Sequence, residues 1–540
     1  MSESIFRFDD PSRCEYDEAV ISVNEDGDTL AELKELSEGD TWTAVYNDPR
    51  PETGPEYHGC TLDNDGNVVA VGVIALFQTA YSVFTGEFIV VKYDQSGQLL
   101  PGWPVIYKEE GFRWNEAHNV VVDADDNIWV SGYTGTVGND FYFAVWKLGP
   151  DGSLAEGWPR FPFGPNAYGN NIIVDSRGNI LACAGGSYGK TVEGVTDYMV
   201  VMKYGPDGTP AEGWPKTYQV PESRHNFAYG LAEDMDGNFL VAGFTQTGGN
   251  RDAALLKIDS EGNVIEGWPK TWDSGSGWYD EYYTVSQDRN GDYCLVGICQ
   301  DATGENGRLL VTRFSEEGEQ LTSEGWPRIY ERDGLRDWSP PDSWGGSVDS
   351  SGNIVAAATC QSDTHVDTVK YTPEASMFAG FPKIFDGEGR FDVTRSCCVD
   401  DLDNIYTVGF SEFDDGTEQD YYTFIVKYPP AAYCTARPAI VLDTGLDATG
   451  LAGFGETLGS ENEGSMAYQL SPDGEEWYYH GGSSWTGASD KFQANTADEV
   501  SRSIGSFAEQ AGGGMLHLKA FLVSDGTQKV QLEAVTVSHK

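Results

Sequence analysis

The sequence predicts an all-β protein, and three observations predict it. A unit of two apolar strands joined by an Asp-led polar turn recurs seven times. Each copy runs on into a third strand with a basic residue at a fixed place, as in VVKYD, VWKLG and VMKYG. The 540 residues include 65 Gly and 24 Pro, too many turn formers for a helical bundle, while 39% apolar and 13% aromatic residues exceed what a disordered chain carries.

The seven copies read LDNDGNVVAVG, VDADDNIWVSG, VDSRGNILACAG, EDMDGNFLVAG, QDRNGDYCLVG, VDSSGNIVAAA and VDDLDNIYTVG. Their aspartates, Asp63, Asp123, Asp175, Asp234, Asp288, Asp349 and Asp400, stand 51 to 61 residues apart. After the third strand comes a turn, often Asp-x-x-Gly, and then Gly-Trp-Pro at Trp103, Trp158, Trp214, Trp268 and Trp326, with Gly-Phe-Pro at Phe381 in the sixth copy. A fourth strand such as PVIY or PRIY follows. Four short antiparallel strands cannot bury both faces alone, so such units stack around an axis, each covering its neighbour. The fold class is therefore a seven-bladed β-propeller. The seventh copy stops at Pro429-Pro430 with no fourth strand, which would leave an open edge. Residues 39–46, Gly-Asp-Thr-Trp-Thr-Ala-Val-Tyr, read as the missing strand, with Tyr46 where Tyr107 and Tyr330 fall, so an N-terminal strand is expected to close the ring.

The repeats resemble the bacterial β-propeller-repeat families, and the Val-Asp-x-x-Gly-Asn-Ile core is similar to NHL-type blades. The resemblance spans residues 39–430 and implies the fold; such families include binding proteins, scaffolds and enzymes, so it implies little chemistry.

Residues 1–38 read as an N-terminal extension and 39–430 as the propeller. From Cys434 the repeat disappears, and residues 434–540 carry 14 acidic and 6 basic side chains. Strand-like runs at 439–442, 465–470, 476–479, 515–523 and 529–537, separated by Pro-Asp-Gly, His-Gly-Gly and Ser-Asp-Gly turns, predict a small β-sandwich. A helix is expected over 497–507, capped by Thr496 with Glu499 in a capping box. SPDGEEWYYHGGSSW and FLVSDGTQKVQLEAVTV resemble β-sandwich modules of phage tail and bacterial surface proteins. Ser471-Pro-Asp473-Gly474 lacks one residue of the Asp-box of sialidase-like propellers and is read as a hairpin with a buried Trp477.

The chain holds 86 Asp and Glu against 34 Lys and Arg, a formal charge of −52, which argues against nucleic acid as a partner. No stretch approaches the ~18 uninterrupted apolar residues of a membrane span, and no Sec-type leader is read at the start. Nine scattered cysteines lack CxxC spacing and read as buried small hydrophobes in a reducing cytoplasm, with Cys14–Cys434 as the one conceivable clamp.

The repeat aspartates precede Gly-Asn turns and are expected to cap hairpins, not to bind ligands; Asp63-Asn-Asp65-Gly and Asp234-Met-Asp236-Gly leave room for at most weak calcium binding, and no other cofactor and no resident metal is expected. The seven histidines show no HExxH spacing, and no nucleophile elbow, Walker or dinucleotide loop is read, so no catalytic residue is assigned. One face of the ring is uniform between blades. The other carries individual loops in which scarce Arg meets aromatics and carboxylates: Arg113, Trp114, Arg224, His225, Trp278, Asp280, Arg336, Trp338 and Arg390. Aromatic faces with forked donors suit sugar or peptide recognition; the competing reading has the same groups pairing within the loops and holding neighbouring blades together.

These features lead to the expectation of a non-enzymatic virion-type structural and recognition protein, a fibre, spike or receptor-binding subunit on a virion, with other virion or surface proteins and a cell-surface glycan as partners. Two alternatives stand beside it: a secreted polysaccharide-active propeller enzyme, and an intracellular protein-interaction scaffold.

Overall fold

Every copy of the repeat folds into a four-stranded antiparallel sheet in the computed structural model. The structure describes the chain except residues 1, 9–10, 24–29, 37–39, 51, 77–84, 139, 187–196, 304–306, 332–344, 361–364, 388–390 and 415–418. Blade 1 comprises Thr53–Leu62, Val68–Leu76, Thr85–Tyr93 and Val105–Tyr107. The first strands of the following blades are Trp114–Val122, Ala167–Val174, His225–Glu233, Asp280–Gln287, Gly346–Val348 and Phe391–Val399. Each first strand packs against the next, and that of blade 7 against that of blade 1, so the seven form a closed circle around an axis.

The closing strand is the expected one. Trp42–Tyr46 pairs antiparallel with Gln419–Tyr428 as the fourth strand of blade 7. Tyr46 stands opposite Thr423, as Tyr107 stands opposite Phe88 and Tyr330 opposite Leu309. Trp42 precedes Tyr46 by the same four residues that separate Trp103 from Tyr107, and it does the same work. In blades 1 to 4 the Trp ring covers the turn glycine of the next blade: a Cβ on Gly152, Gly208, Gly262 or Gly318 would fall within about 3 Å of Trp103, Trp158, Trp214 or Trp268. Trp42 covers Gly97 of blade 1 in the same way and donates from Nε1 to the Gln95 carbonyl at 2.9 Å.

The repeat aspartates are structural, as expected. Asp63 Oδ1 accepts from the amides of Asp65 (3.0 Å) and Asn67 (2.8 Å) and Oδ2 from the Asn67 side chain (2.9 Å), closing the hairpin. The basic residue of the third strand then neutralises it: Lys92–Asp63 at 2.6 Å, Lys257–Asp234 and Lys370–Asp349 each at 2.8 Å, and Arg313 on Asp288. Burial raises the Asp63 carboxyl, and the Lys92 and Asn67 hydrogen bonds outweigh it and hold the group below the ordinary carboxylate range. Blades 2 and 7 depart for a visible reason. They place Trp129 and Tyr406 beside the turn, and these rings donate to Asp123 and Asp400 in place of the lysine, which lies over the ring instead.

The chain divides into two compact units, Trp42–Asp400 with Ile405–Lys427, and Met1–Thr41 with Asp401–Asn404 and Tyr428–Lys540. In the second, two antiparallel sheets share one apolar core that includes Phe8, Ile21, Tyr468, Phe507 and Leu516. The first 41 residues supply strands to both: Ser2–Arg7 and Ala31–Leu33 pair with Gln531–His539, and Cys14–Tyr16 with Ala439–Asp447. The helix Ala497–Ser503 carries the expected capping box from Thr496 and Glu499. Trp477 is half-buried beneath the Lys519 ammonium at 4.1 Å, not buried outright. Cys14 and Cys434 are not joined by a disulfide. Among the described residues no helix is long and apolar enough to cross a membrane.

Candidate active site

The glycine that ends most repeats has a definite task. In the second strands of blades 1, 2, 4, 5 and 7, a Cβ on Gly72, Gly132, Gly243, Gly297 or Gly409 would stand 1.8 to 2.0 Å from a carbonyl oxygen of the first strand. That close approach accompanies a β-bulge: the ladder skips one residue at His58, His118, Tyr229, Tyr283 and Arg395, and in blade 3 at Asn170, where the glycine sits on the opposite strand as Gly169 facing Ala184. A bulge breaks the in-and-out alternation and re-aims one side chain. Repeated around the ring, it brings His58, His118 and Asn170 together at the axis, where they line, with Asn119, Asn171 and Tyr229, a cavity of about 10 Å³, room for one water or ion.

Glu116, almost wholly buried, is the hub. His118 Nε2 lies 3.0 Å from Glu116 Oε1 and His58 Nδ1 3.3 Å from the same oxygen. The second oxygen accepts from Trp114 Nε1 at 2.6 Å and the Tyr133 hydroxyl at 2.5 Å. His58 Nε2 faces Glu56 Oε2 at 3.3 Å, and Arg395 reaches that carboxylate at 3.7 Å. His118 Nδ1 faces Asn170 Oδ1 at 3.3 Å, while the Asn170 amide nitrogen donates to the Ala228 carbonyl at 2.6 Å. Burial works to raise the Glu116 carboxyl, but the His118 and His58 imidazoles beside it and the Tyr133 hydroxyl carry it far below the ordinary range. Tyr133 moves the opposite way, pushed well up by burial and by Glu116, so it remains a proton donor.

Two of the loop residues singled out in the sequence adjoin this hub. Arg113 and Trp114, with Tyr133, Gly135, Thr136 and Phe141, line a pocket of about 200 Å³, and Glu116 accepts hydrogen bonds from two of its walls. The others serve their loops. Arg224 is exposed and its amide bonds the Gln246 carbonyl; His225 pairs with Asp197 at 2.5 Å; Trp278 is 42% exposed and donates to the Ala302 carbonyl. Asp280 is fully buried and accepts the Ser274 amide at 2.7 Å, as Asn226 accepts the Val220 amide from the equivalent position in blade 4. Arg336, Trp338 and Arg390 lie outside the described residues.

Asp280 makes stability depend on pH. Burial first, and the nearby Asp273 and Asp252 charges after it, push its carboxyl up to about 6 against the opposing Ser274 hydrogen bonds. The folded protein binds this proton more tightly than the unfolded chain does. Its stabilising contribution is therefore present below about pH 4 and is lost as pH rises through 6, a loss of about 2–3 kcal/mol. Asp280→Asn keeps an acceptor for Ser274 and removes the charge. We expect it to melt higher than the parent at pH 8, the difference closing towards pH 4 in thermal unfolding; equal melting temperatures at pH 8 would refute this.

Sequence reasoning missed Glu56, His58, Glu116, His118, Tyr133, Asn170 and Arg395. The signal was present: Glu-x-His occurs at 56–58 and again at 116–118, one repeat apart.

No protein-family model matches the chain, and no curated protein matches its sequence. Among solved structures, the chain is similar to a periplasmic gluconolactonase of Pseudomonas aeruginosa, 13% identical over 61% of this chain and 84% of that one, with a TM-score of 0.39. It is similar to a polysaccharide lyase, 12% identical over 70% and 90%, TM-score 0.45, and to an α-L-arabinofuranosidase of Fusarium graminearum, 11% identical over 73% and 98%, TM-score 0.39. The expectation of a non-enzymatic virion component is corrected here: these similar structures are named as enzymes, not as fibre, spike or receptor-binding subunits.

Proposed function

We propose that the propeller is a polysaccharide-active enzyme that holds a sugar ring in the Arg113–Trp114 pocket and cleaves its polymer at the axial Glu116–histidine centre. The observation that carries this reading is the position of Glu116, an ionised carboxylate bonded on one oxygen to the pocket walls and on the other to two imidazoles. A low-dielectric site that sets two imidazoles, the side chains that exchange protons near neutral pH, beside an ionised carboxylate that orients them supplies what general acid–base cleavage needs. Trp114 and Phe141 give the pocket apolar faces for a sugar ring, and the Arg113 guanidinium gives it forked donors for hydroxyls or a carboxylate.

Incubation with neutral and uronate polysaccharides, assayed for new reducing ends and unsaturated products, tests it. The expected result is product from at least one polymer, with Trp114→Ala raising KM about tenfold or more. Retention of glycans without any product would make the ring a binding module and overturn the enzyme reading.

A further inference from the structure

The proton count at the ring axis does not close with neutral side chains. Four imidazole nitrogens belong to His58 and His118, and each faces an acceptor: Glu56 Oε2 at 3.3 Å, Glu116 Oε1 at 3.3 Å and again at 3.0 Å, and Asn170 Oδ1 at 3.3 Å. Two neutral rings bring two N–H protons to these four contacts. Asn170 cannot reverse its amide to relieve the mismatch without giving up the 2.6 Å bond to the Ala228 carbonyl. Its oxygen therefore faces His118 Nδ1, which must be the donor, and a neutral His118 then turns a lone pair from Nε2 onto Glu116 Oε1. His58 meets the same difficulty between Glu56 and Glu116. The count closes either with two further protons or with a cation placed where two imidazole nitrogens and a carboxylate oxygen converge.

Two of the three donor separations match those around a shared ion. Donor atoms each about 2.1 Å from one ion, subtending about 90–110° there, stand about 3.0–3.4 Å apart. The two histidine–Glu116 separations are 3.3 and 3.0 Å, and all three donor atoms lie within 4.8 Å of one another. The outer contacts are those of a supported metal site: a carboxylate behind His58 and an amide oxygen behind His118 fix which nitrogen of each ring points inward. The adjoining cavity of about 10 Å³ has room for a water in an open coordination position.

We propose that His58 Nδ1, His118 Nε2 and Glu116 Oε1 bind one divalent first-row transition ion, zinc being the first choice for this donor set, with a water completing the shell. Two histidines and one carboxylate leave positions free for a substrate oxygen. The site stands on its own geometry and does not depend on the polysaccharide reading.

The test is made on the full chain without a polyhistidine tag, stripped with chelator and dialysed against Zn²⁺ or Co²⁺. We expect one tightly held ion per chain by elemental analysis, a visible absorption band from the Co²⁺ form, and a raised melting temperature in the presence of Zn²⁺. His118→Gln and His58→Gln should each weaken Zn²⁺ binding at least tenfold in calorimetry while far-ultraviolet circular dichroism stays unchanged. Should either variant fail to fold, the imidazole resonances of His58 and His118 in the parent protein decide, since both must shift on zinc addition. Failure of the parent to bind zinc, binding undiminished in folded variants, or resonances showing two imidazolium rings that ignore zinc would each overturn the site. None of these readouts involves a polysaccharide, so loss of the metal site and loss of the enzyme reading remain distinguishable.

Discussion

Trp42→Ala should lower the melting temperature of the propeller by several degrees, although Trp42 touches neither the axial centre nor the pocket above it. The ring spans the Gly97 turn of blade 1, lies 6.0 Å from Tyr406 and bonds the Gln95 carbonyl. Truncating a well-packed tryptophan costs about 3–5 kcal/mol, and partial exposure of this one lowers the figure to about 2–4 kcal/mol. Its position makes the loss cooperative. At the other staples a continuous chain links the blades, whereas the junction of blades 7 and 1 is held by the pairing of Trp42–Tyr46 with Gln419–Tyr428, so weakening it exposes a sheet edge and two first strands together. Deletion of residues 1–46 is a poorer probe, because it also strips strands from the second unit. Differential scanning calorimetry of Trp42→Ala beside Trp103→Ala is the decisive comparison. A melting temperature for Trp42→Ala within about 1 °C of the parent would mean that the strand pairing alone closes the ring.

The contrast between what could and could not be read beforehand follows from the kind of interaction. The ring was legible because its elements are local and repeated: the Asp turn, the basic third-strand residue and the Trp staple each recur at one spacing. Trp42 escaped notice as a staple because Thr43 follows it where the other copies have Pro, although its distance to Tyr46 is the standard one. The strands of residues 1–41 escaped for a different reason. Several have only three residues, too few for an alternation to declare itself, and they pair with partners some 500 positions away. The axial centre was hidden by the bulges. Period-two alternation reads Tyr57 and Gly59 as one face and His58 as the other, and only the skipped residue, allowed by Gly72 on the neighbouring strand, turns His58 towards His118. Asp280 shows the reverse case. A polar loop residue beside a tryptophan looked like a ligand group, yet its buried carboxylate holds the loop from inside.

On the proposed polysaccharide-active reading, Glu116→Gln should reduce polymer cleavage by about 10²–10³-fold, and the geometry says why an uncharged isostere does not rescue it. The two glutamate oxygens face different groups: Oε2 accepts from the Trp114 indole and the Tyr133 hydroxyl, and Oε1 faces His118 Nε2 and His58 Nδ1. A glutamine must turn its NH₂ one way or the other. Turned outward, it opposes two donors that form the pocket wall; turned inward, it replaces the carboxylate oxygen that faces both imidazoles. Either choice breaks a link between pocket and centre, and neither restores the negative charge. Glu281 provides the internal control. It occupies the same register position in blade 5 and is 3% exposed, but its carboxylate is taken by Arg251 at 2.5 Å and the Tyr283 hydroxyl at 3.1 Å, away from the histidines. Glu281→Gln therefore removes a buried charge of the same kind from the same kind of strand, and should cost about 1–3 kcal/mol in stability while leaving kcat within a few-fold of the parent. Steady-state kinetics of the two variants, with melting temperatures measured in parallel, separate chemistry from packing. If both lose kcat in proportion to their loss of stability, Glu116 is one more structural carboxylate in an acidic ring; if only Glu116→Gln collapses, the bulge that carries His118 to it is what turns this blade repeat into a reaction centre.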